Sequence, residues 1–393
     1  MTVVPAGRYA AGMAEHGILV APRIEPSPNL TPFIKWPGGK SHELPAIAAA
    51  APPLTGRLID PFVGGGAVLL ATPPDVAAWA NDACADLIRV YAGAAGSDVP
   101  FMSALQTLAV GWEGFAGLGS LYRELADAFR SDQAHATATT AILARHSGRL
   151  GDLLDAAGPG LVAPYLLRLQ TDLPVKFMRM RSVQAQKGTI LSDADLVANV
   201  EGAIRAAMYM AIRARYNQAR RGGEWGPYRL ADFVFLREFA YAAMFRFNAT
   251  GDFNVPYGGL TYNHKSLADK VSLLFGDAIL ARLRSTEWRC LDFEPFLAEA
   301  SPSAEDFVFV DPPYDSEFSA YDDRPFGWRD QERLQHVLEG LAGRVMLVIK
   351  DTPMIRQLYG SDRWRIAEAP KTYMWTIKSR NDREATHLTI TNY

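Results

Sequence analysis

Cysteine is almost missing from this chain: 393 residues carry two, Cys84 and Cys290. A disulfide framework is thereby excluded, and a reducing compartment is the better fit. The seven histidines include no H-x-x-x-H or H-x-H pair, so nothing in their spacing supports a metal centre. No apolar run approaches the roughly 18 residues of a membrane span, and the N-terminus has no charged segment followed by an apolar one. A cytoplasmic protein with neither membrane nor metal as a partner is expected. An excess of positive charge is missing too. Lys and Arg number 40 against 43 acids, a net charge of -3, which excludes a protein that coats nucleic acid by overall charge. Any nucleic-acid surface must be local. Internal repeats and low-complexity tracts are also lacking.

What is present begins with Phe307-Val308-Phe309-Val310-Asp311-Pro312-Pro313-Tyr314. Four β-branched or aromatic residues in a row read as a short strand buried on both faces. Two prolines end it, since neither can donate to a sheet ladder. Asp311 is thus held at the carboxyl end of a central strand, where open α/β sheets bind ligands. The Asp311 carboxylate and the Pro312 carbonyl offer two acceptors, and Tyr314 a flat face. That set fits a planar group bearing an NH2, such as a nucleobase. A proline-stiffened turn with a solvated Asp is the plainer alternative, and the surrounding motifs must decide.

Arg57 to Leu70 supplies a second signal: a short strand, Asp60-Pro-Phe62-Val-Gly64-Gly-Gly66, then an apolar helix start. This is the kind of strand-to-helix turn over which a nucleotide-like cofactor lies. The turn has neither the G-x-G-x-x-G spacing nor a following G-K-[ST], so a dinucleotide or a triphosphate is poorly supported. The stretch from Val76 reads as the next strand and ends in Asn81-Asp82, 22 residues beyond Asp60. An acid about 20 residues past a glycine turn can accept from ribose hydroxyls. It could equally start the helix that follows. Upstream, Trp36-Pro37-Gly38-Gly39-Lys40 pairs a flexible turn with a cation, and Trp36 reads as a core aromatic or as a wall for a flat ligand. A helix is expected from Glu43 to about Ala51.

Helical spacing dominates from about Ala92 to Gly223, with a glycine-punctuated connection between helices expected from Gly148 to Gly160. Between Lys176 and Arg221 lie nine basic residues and three acids, net +6. That is a candidate phosphate-facing surface or a solvated helix face. Phe245 to Gly259 alternates aromatics with hydrogen-bonding residues around a Gly-Asp turn and reads as a hairpin-like loop. Arg246, Asn248 and Asn254 carry donors, Tyr257 and Tyr262 can stack, and Lys265 can meet phosphate, as a groove-entering segment needs. An ordinary surface hairpin would share the pattern. Ser316 to Arg329 is expected to form a loop over the site. Gln331 to Leu341 is expected as a helix, and Val345–Ile349 as another buried strand. The alternating Thr386–Tyr393 is expected to close one edge of the sheet.

Trp36-x-Gly-Gly-Lys40, Asp60-Pro-Phe62-x-Gly64-x-Gly66, Asn81-Asp82 and Asp311-Pro-Pro-Tyr314 together resemble, in order and context, the adenine-specific DNA methylases of the D-P-P-Y type. The likeness is to the GATC-methylating kind in particular. Phe247-Asn248 through Gly258 resembles that family's DNA-contacting hairpin, and the closing Leu-Thr-Ile-Thr-Asn-Tyr its last strand. The resemblance implies an α/β fold, a seven-stranded mostly parallel sheet of the S-adenosylmethionine-dependent methyltransferase type with an inserted helical target-recognition domain. It implies S-adenosyl-L-methionine as cofactor, held by Trp36, Lys40, Asp60, Phe62, Gly64, Gly66, Asp82 and Asp311. Asp311, Pro312 and Tyr314 would be catalytic. Double-stranded DNA would be the partner, contacted by Arg246, Asn248, Asn254, Tyr257 and Lys265, with a restriction endonuclease as a possible companion. Domain limits follow: an N-terminal extension over 1–30, catalytic segments over 31–95 and 285–393, and the insertion over 96–284; the stretch from Ala92 to Gly223 is longer than the family's usual recognition region. Cytosine N4, an RNA adenine or a protein glutamine amide would suit a similar pocket, and a DNA-binding protein without catalysis is the remaining alternative. Asp rather than Ser or Asn at position 311 favours adenine.

Overall fold

The computed structural model describes residues 21–28, 30–131, 136–314, 326–372 and 384–393. Most of the N-terminal extension and most of the loop expected over Ser316–Arg329 lie outside them. The chain divides into two compact units, one formed by Met1–Gly96 with Phe275–Tyr393 and the other by Ser97–Leu274.

The first unit is built on seven strands: β1 (Leu58–Asp60), β2 (Ala78–Asn81), β3 (Thr286–Arg289), β4 (Phe307–Val310), β5 (Arg344–Lys350), β6 (Arg365–Thr372) and β7 (Glu384–Thr391). Their order is β3-β2-β1-β4-β5-β7-β6. The pairs from β3 through β5 are parallel, whereas β7 runs antiparallel to both β5 and β6. β4 is buried along its whole length, as its unbroken apolar run requires. Val308, Val310, Leu347, Ile349, Leu388 and Ile390 belong to one apolar core. β1 lies between β2 on one side and β4 on the other, so the strand order reverses there. The carboxyl ends of β1 and β4 therefore flank a topological switch point, where a crevice opens in folds of this kind.

The last strand corrects an expectation. β7 does not close the sheet; it lies inside, between β5 and β6. Leu388 and Ile390 are fully buried and His387 nearly so, which is the burial of an interior strand. The edge is β6, whose Arg-Ile-Ala-Glu-Ala-Pro-Lys-Thr carries charges and a proline, the residues that guard an open edge. The helix Asp277–Arg284 belongs to this sheet unit, which puts the division at Leu274/Phe275 rather than after Arg284. Buried Arg282 fixes it there, donating to the carbonyls of Pro73 and Val76 at 2.7 and 2.8 Å.

The second unit is helical. Val162–Lys187 and Asp193–Arg221 are its longest helices and pack on each other. Ser192 caps the latter, its hydroxyl accepting from the Asp195 amide at 3.1 Å. Trp112, Phe115, Tyr165, Tyr209 and Phe235 are fully buried among them. The expected glycine connection proves shorter. Ser147–Ala156 is a helix that passes through Gly148 and Gly151, because Leu150 and Leu154, one turn apart, are both buried. Gly158 and Gly160, with φ of 116° and 74°, make the actual turn.

Candidate active site

The tips of β1 and β2 are tied together by polar side chains. Asn81 is 1% exposed; its amide donates to the carbonyls of Pro61 and Leu291, each at 3.0 Å, and its Oδ1 accepts from the Leu291 amide at 2.8 Å. Asp60 is buried, with Oδ1 accepting from the Phe62 amide at 3.2 Å. Burial pushes its carboxyl well above the usual range, with Asp311 and Asp82 adding to the effect. Asp82 is half-buried. One of its oxygens accepts from the Gly64 amide at 3.1 Å, the other from the Cys84 amide at 2.9 Å. The helix Ala85–Ala95 has Cys84 as its N-cap, so Asp82 is not its capping residue. It links the glycine turn to the segment before that helix.

Gly64 and Gly66 adopt φ of 47° and 74°. Their lack of side chains admits protein groups. A Cβ on Gly64 would lie 2.7 Å from Cδ1 of Trp36, and one on Gly66 would lie 3.1 Å from the Tyr91 hydroxyl. That hydroxyl donates to the Gly64 carbonyl at 2.9 Å. Trp36 thus lies against the glycine turn and is half-buried there.

Lys40 is the centre of the other half of the site. It is 3% exposed, and its Nζ donates to Asp311 Oδ1 at 2.5 Å, to the Tyr314 hydroxyl at 2.8 Å and to the Gly38 carbonyl at 2.9 Å. Three ammonium protons meet three acceptors. Lys40, expected among the cofactor residues, has its ammonium on Asp311 and Tyr314 of the D-P-P-Y segment. Burial raises the Asp311 carboxyl above the usual carboxylate range, and the Lys40 charge pulls against that rise without cancelling it. Pro312 is buried, and the Pro313 carbonyl accepts from Gln331 Nε2 at 3.0 Å. The Tyr314 ring meets His387 edge-on, and His387 in turn bonds Glu43. Gln331, His387 and Glu43 were missed because they stand far from the motif in sequence.

In the helical unit, the segment 245–259 is a loop closed by an antiparallel bridge between Phe247 and Phe253. Asn248 organises it: Oδ1 accepts from the Thr250 amide, the Thr250 hydroxyl and the Asp252 amide at 3.1, 2.8 and 2.9 Å. The Tyr257 hydroxyl donates to Asn263 Oδ1 at 3.0 Å, and burial raises that phenol above its ordinary range. Arg246 is exposed and its Nε donates to Asn254 Oδ1 at 3.1 Å. Lys265 stands 3.4 Å from the Tyr262 ring centroid and 3.8 Å from Glu238. Arg246 is thus exposed on the loop and tied through Nε to Asn254, whereas Asn248 and Tyr257 bond within the unit. Much of the neighbouring basic excess is engaged internally. Arg205 bonds Glu201, Arg215 pairs with Asp232, Arg221 pairs with Asp252, Arg213 donates to the Val255 carbonyl and Arg181 to that of Phe129.

Comparison with known proteins decides the family. The profile of the D12 class N6 adenine-specific DNA methyltransferases matches residues 36–106 and 181–374. The chain belongs to this family. Type II methyltransferase M.CviBI of Paramecium bursaria Chlorella virus NC1A is 31% identical over 200 residues, covering 48% of this chain and 72% of its own. Type II methyltransferase M1.LlaDCHI of Lactococcus lactis subsp. cremoris is 25% identical over 375 residues, covering 93% and 96%. The DNA adenine methylase of Serratia marcescens is 28% identical over 165 residues, covering 39% and 58%. As a D12 class protein this chain is an adenine-specific DNA methyltransferase, and its sheet is the one expected. The unmatched residues 107–180 fall within the helical unit, where the sequence also looked longer than usual.

Proposed function

We propose that the methyl donor is S-adenosyl-L-methionine, bound over the β1–β2 tips, and that Asp311 and the Pro312 carbonyl hold the N6 amine of an adenine flipped out of duplex DNA. The residues present suit that cofactor. The Asp82 carboxylate, tied to the Gly64 and Cys84 amides, is an acceptor suited to ribose hydroxyls at the tip of β2, and Trp36 lies with its flat apolar face against the glycine turn. When bound, the cofactor supplies an electrophilic methyl on a sulfonium.

The observation that carries the reading is the three-point seat of the Lys40 ammonium. Asp311 already accepts from a nitrogen donor, at the end of β4. An adenine amine entering the site displaces Lys40 and gives one N–H to Asp311 and the other to the Pro312 carbonyl. That favours a pyramidal nitrogen whose lone pair, otherwise delocalised into the ring, is free to attack. Tyr314 stacks on the base, which cannot be reached inside a helix and must be extruded. The proton that N6 sheds after transfer has Asp311 as its nearest carboxylate, and loss of the Lys40 charge raises its affinity for that proton.

The unit Ser97–Leu274 serves as the target-recognition domain, with Arg246 and Asn254 as base-reading donors and Lys265 as a phosphate contact. The names of the Type II relatives support a restriction-linked role, in which a companion endonuclease reads the same sequence. Among the described residues no helix is long and apolar enough to cross a membrane. The test is tritiated methyl transfer from S-adenosylmethionine to unmethylated duplex DNA, with the product nucleoside identified by mass. Labelled N6-methyladenine is expected; no incorporation of label into DNA would remove the cofactor assignment.

A further inference from the structure

We infer that His387, held by Glu43, is a positioning residue for Tyr314 and keeps that ring in place when the target base displaces Lys40. The inference rests on the reading of Tyr314 as the stacking face. His387 lies on β7, is 2% exposed, and meets the Tyr314 ring with centroids 5.3 Å apart and planes at 78°. Edge-to-face is a preferred geometry for aromatic rings. On its other side Nδ1 stands 2.7 Å from Oε2 of Glu43, which immediately precedes the helix Leu44–Ala50. An ionised carboxylate only accepts, so Nδ1 carries the proton, and the bond fixes the plane of the imidazole.

Tyr314 is anchored at its hydroxyl by Lys40 and at its ring by His387. The first anchor is lost when an amine takes the place of the Lys40 ammonium at Asp311. The second stands on β7 and on the start of a helix, and is untouched by that exchange. His387 thus supports the stacking face during the step in which its position matters. Gln331 gives comparable support to the neighbouring Pro313 carbonyl.

Steady-state methyl transfer to unmethylated plasmid DNA, with S-adenosylhomocysteine binding measured alongside, tests the role. His387→Ala is expected to lower kcat by roughly 10- to 100-fold, the scale on which a small misplacement of reacting groups acts, with S-adenosylhomocysteine affinity unchanged. His387→Phe, which restores an aromatic edge without Nδ1, recovers most of the loss. His387→Gln, which keeps a donor toward Glu43 and has no ring, does not. Should the alanine variant fail to fold, the Phe and Gln pair decides. Wild-type turnover by His387→Gln, or equal losses in the Phe and Gln variants, overturns the inference. Tyr314→Ala is run beside them: if it too turns over normally, the stacking reading itself falls and takes this one with it.

Discussion

Lys40 Nζ lies 2.5 Å from Asp311 Oδ1, joining residues 271 apart in sequence at the carboxyl end of β4. Both groups are largely withdrawn from water, with side chains 3% and 19% exposed. In such surroundings a cation sets whether its neighbouring carboxyl is ionised.

That relationship fixes the effect of Lys40→Met. Asp311 is raised by burial and lowered by Lys40, so removing the ammonium raises it further. Below its pKa a protonated Asp311 no longer accepts freely from an amine. The acidic limb of a kcat/KM–pH profile, which reports the free enzyme, should therefore move to higher pH in Lys40→Met. A limb left in place would show that Asp311 is not the group being titrated.

Gly64→Ala should both destabilise and disable. Its φ of 47° disfavours a side chain, and the added Cβ would stand 2.7 Å from the Trp36 indole. A cost of about 1–3 kcal/mol is expected from the strained backbone. Thermal unfolding measures it, and S-adenosylhomocysteine titration should show weakened binding in the same variant.

Asp60→Asn should stabilise the free protein at neutral pH. The folded carboxyl is raised, so the native state binds more protons than the unfolded one, and stability falls as pH climbs from the unfolded value toward the folded one. Asn keeps an oxygen for the Phe62 amide and carries no charge. Unfolding midpoints at acidic and neutral pH should differ less in the variant than in the wild type; equal pH dependence would contradict the account.

Arg246 and Asn248 should separate in their effects. Asn248→Ala removes the acceptor of three hydrogen bonds that shape the loop, so DNA affinity should fall for every sequence alike. Arg246→Ala should instead narrow the gap between cognate and other DNA, by about 1–3 kcal/mol if it reads a base. Binding titrations on both kinds of duplex distinguish the two.

The readable parts of this chain were those where local sequence and burial agree. β4 announced itself because a strand buried on both faces must be continuously apolar, and Asp311 because two prolines stop that strand. The two edge strands were not read. Thr-Glu-Trp-Arg of β3 and Arg-Ile-Ala-Glu-Ala-Pro-Lys-Thr of β6 mix charged and polar residues with apolar ones and carry no continuous apolar run. Gln331, His387 and Glu43 were hidden for another reason: they stand apart in sequence and meet the D-P-P-Y segment only when β7 and two helix starts are brought to the end of β4. Charge counting left two readings of the basic residues between Lys176 and Arg221, a phosphate-facing surface or a solvated helix face; several of them bond carboxylates and carbonyls of their own unit, which a count of charges does not reveal.

The most direct test of the central claim is methyl transfer by Asp311→Ala, scored as N6-methyladenine in digested duplex DNA, with S-adenosylhomocysteine binding measured on the same preparation. Loss of transfer by roughly 100-fold or more, with cofactor-site binding largely kept, is the result expected when a group that stabilises the transition state is removed. Wild-type-like turnover by Asp311→Ala would contradict the account.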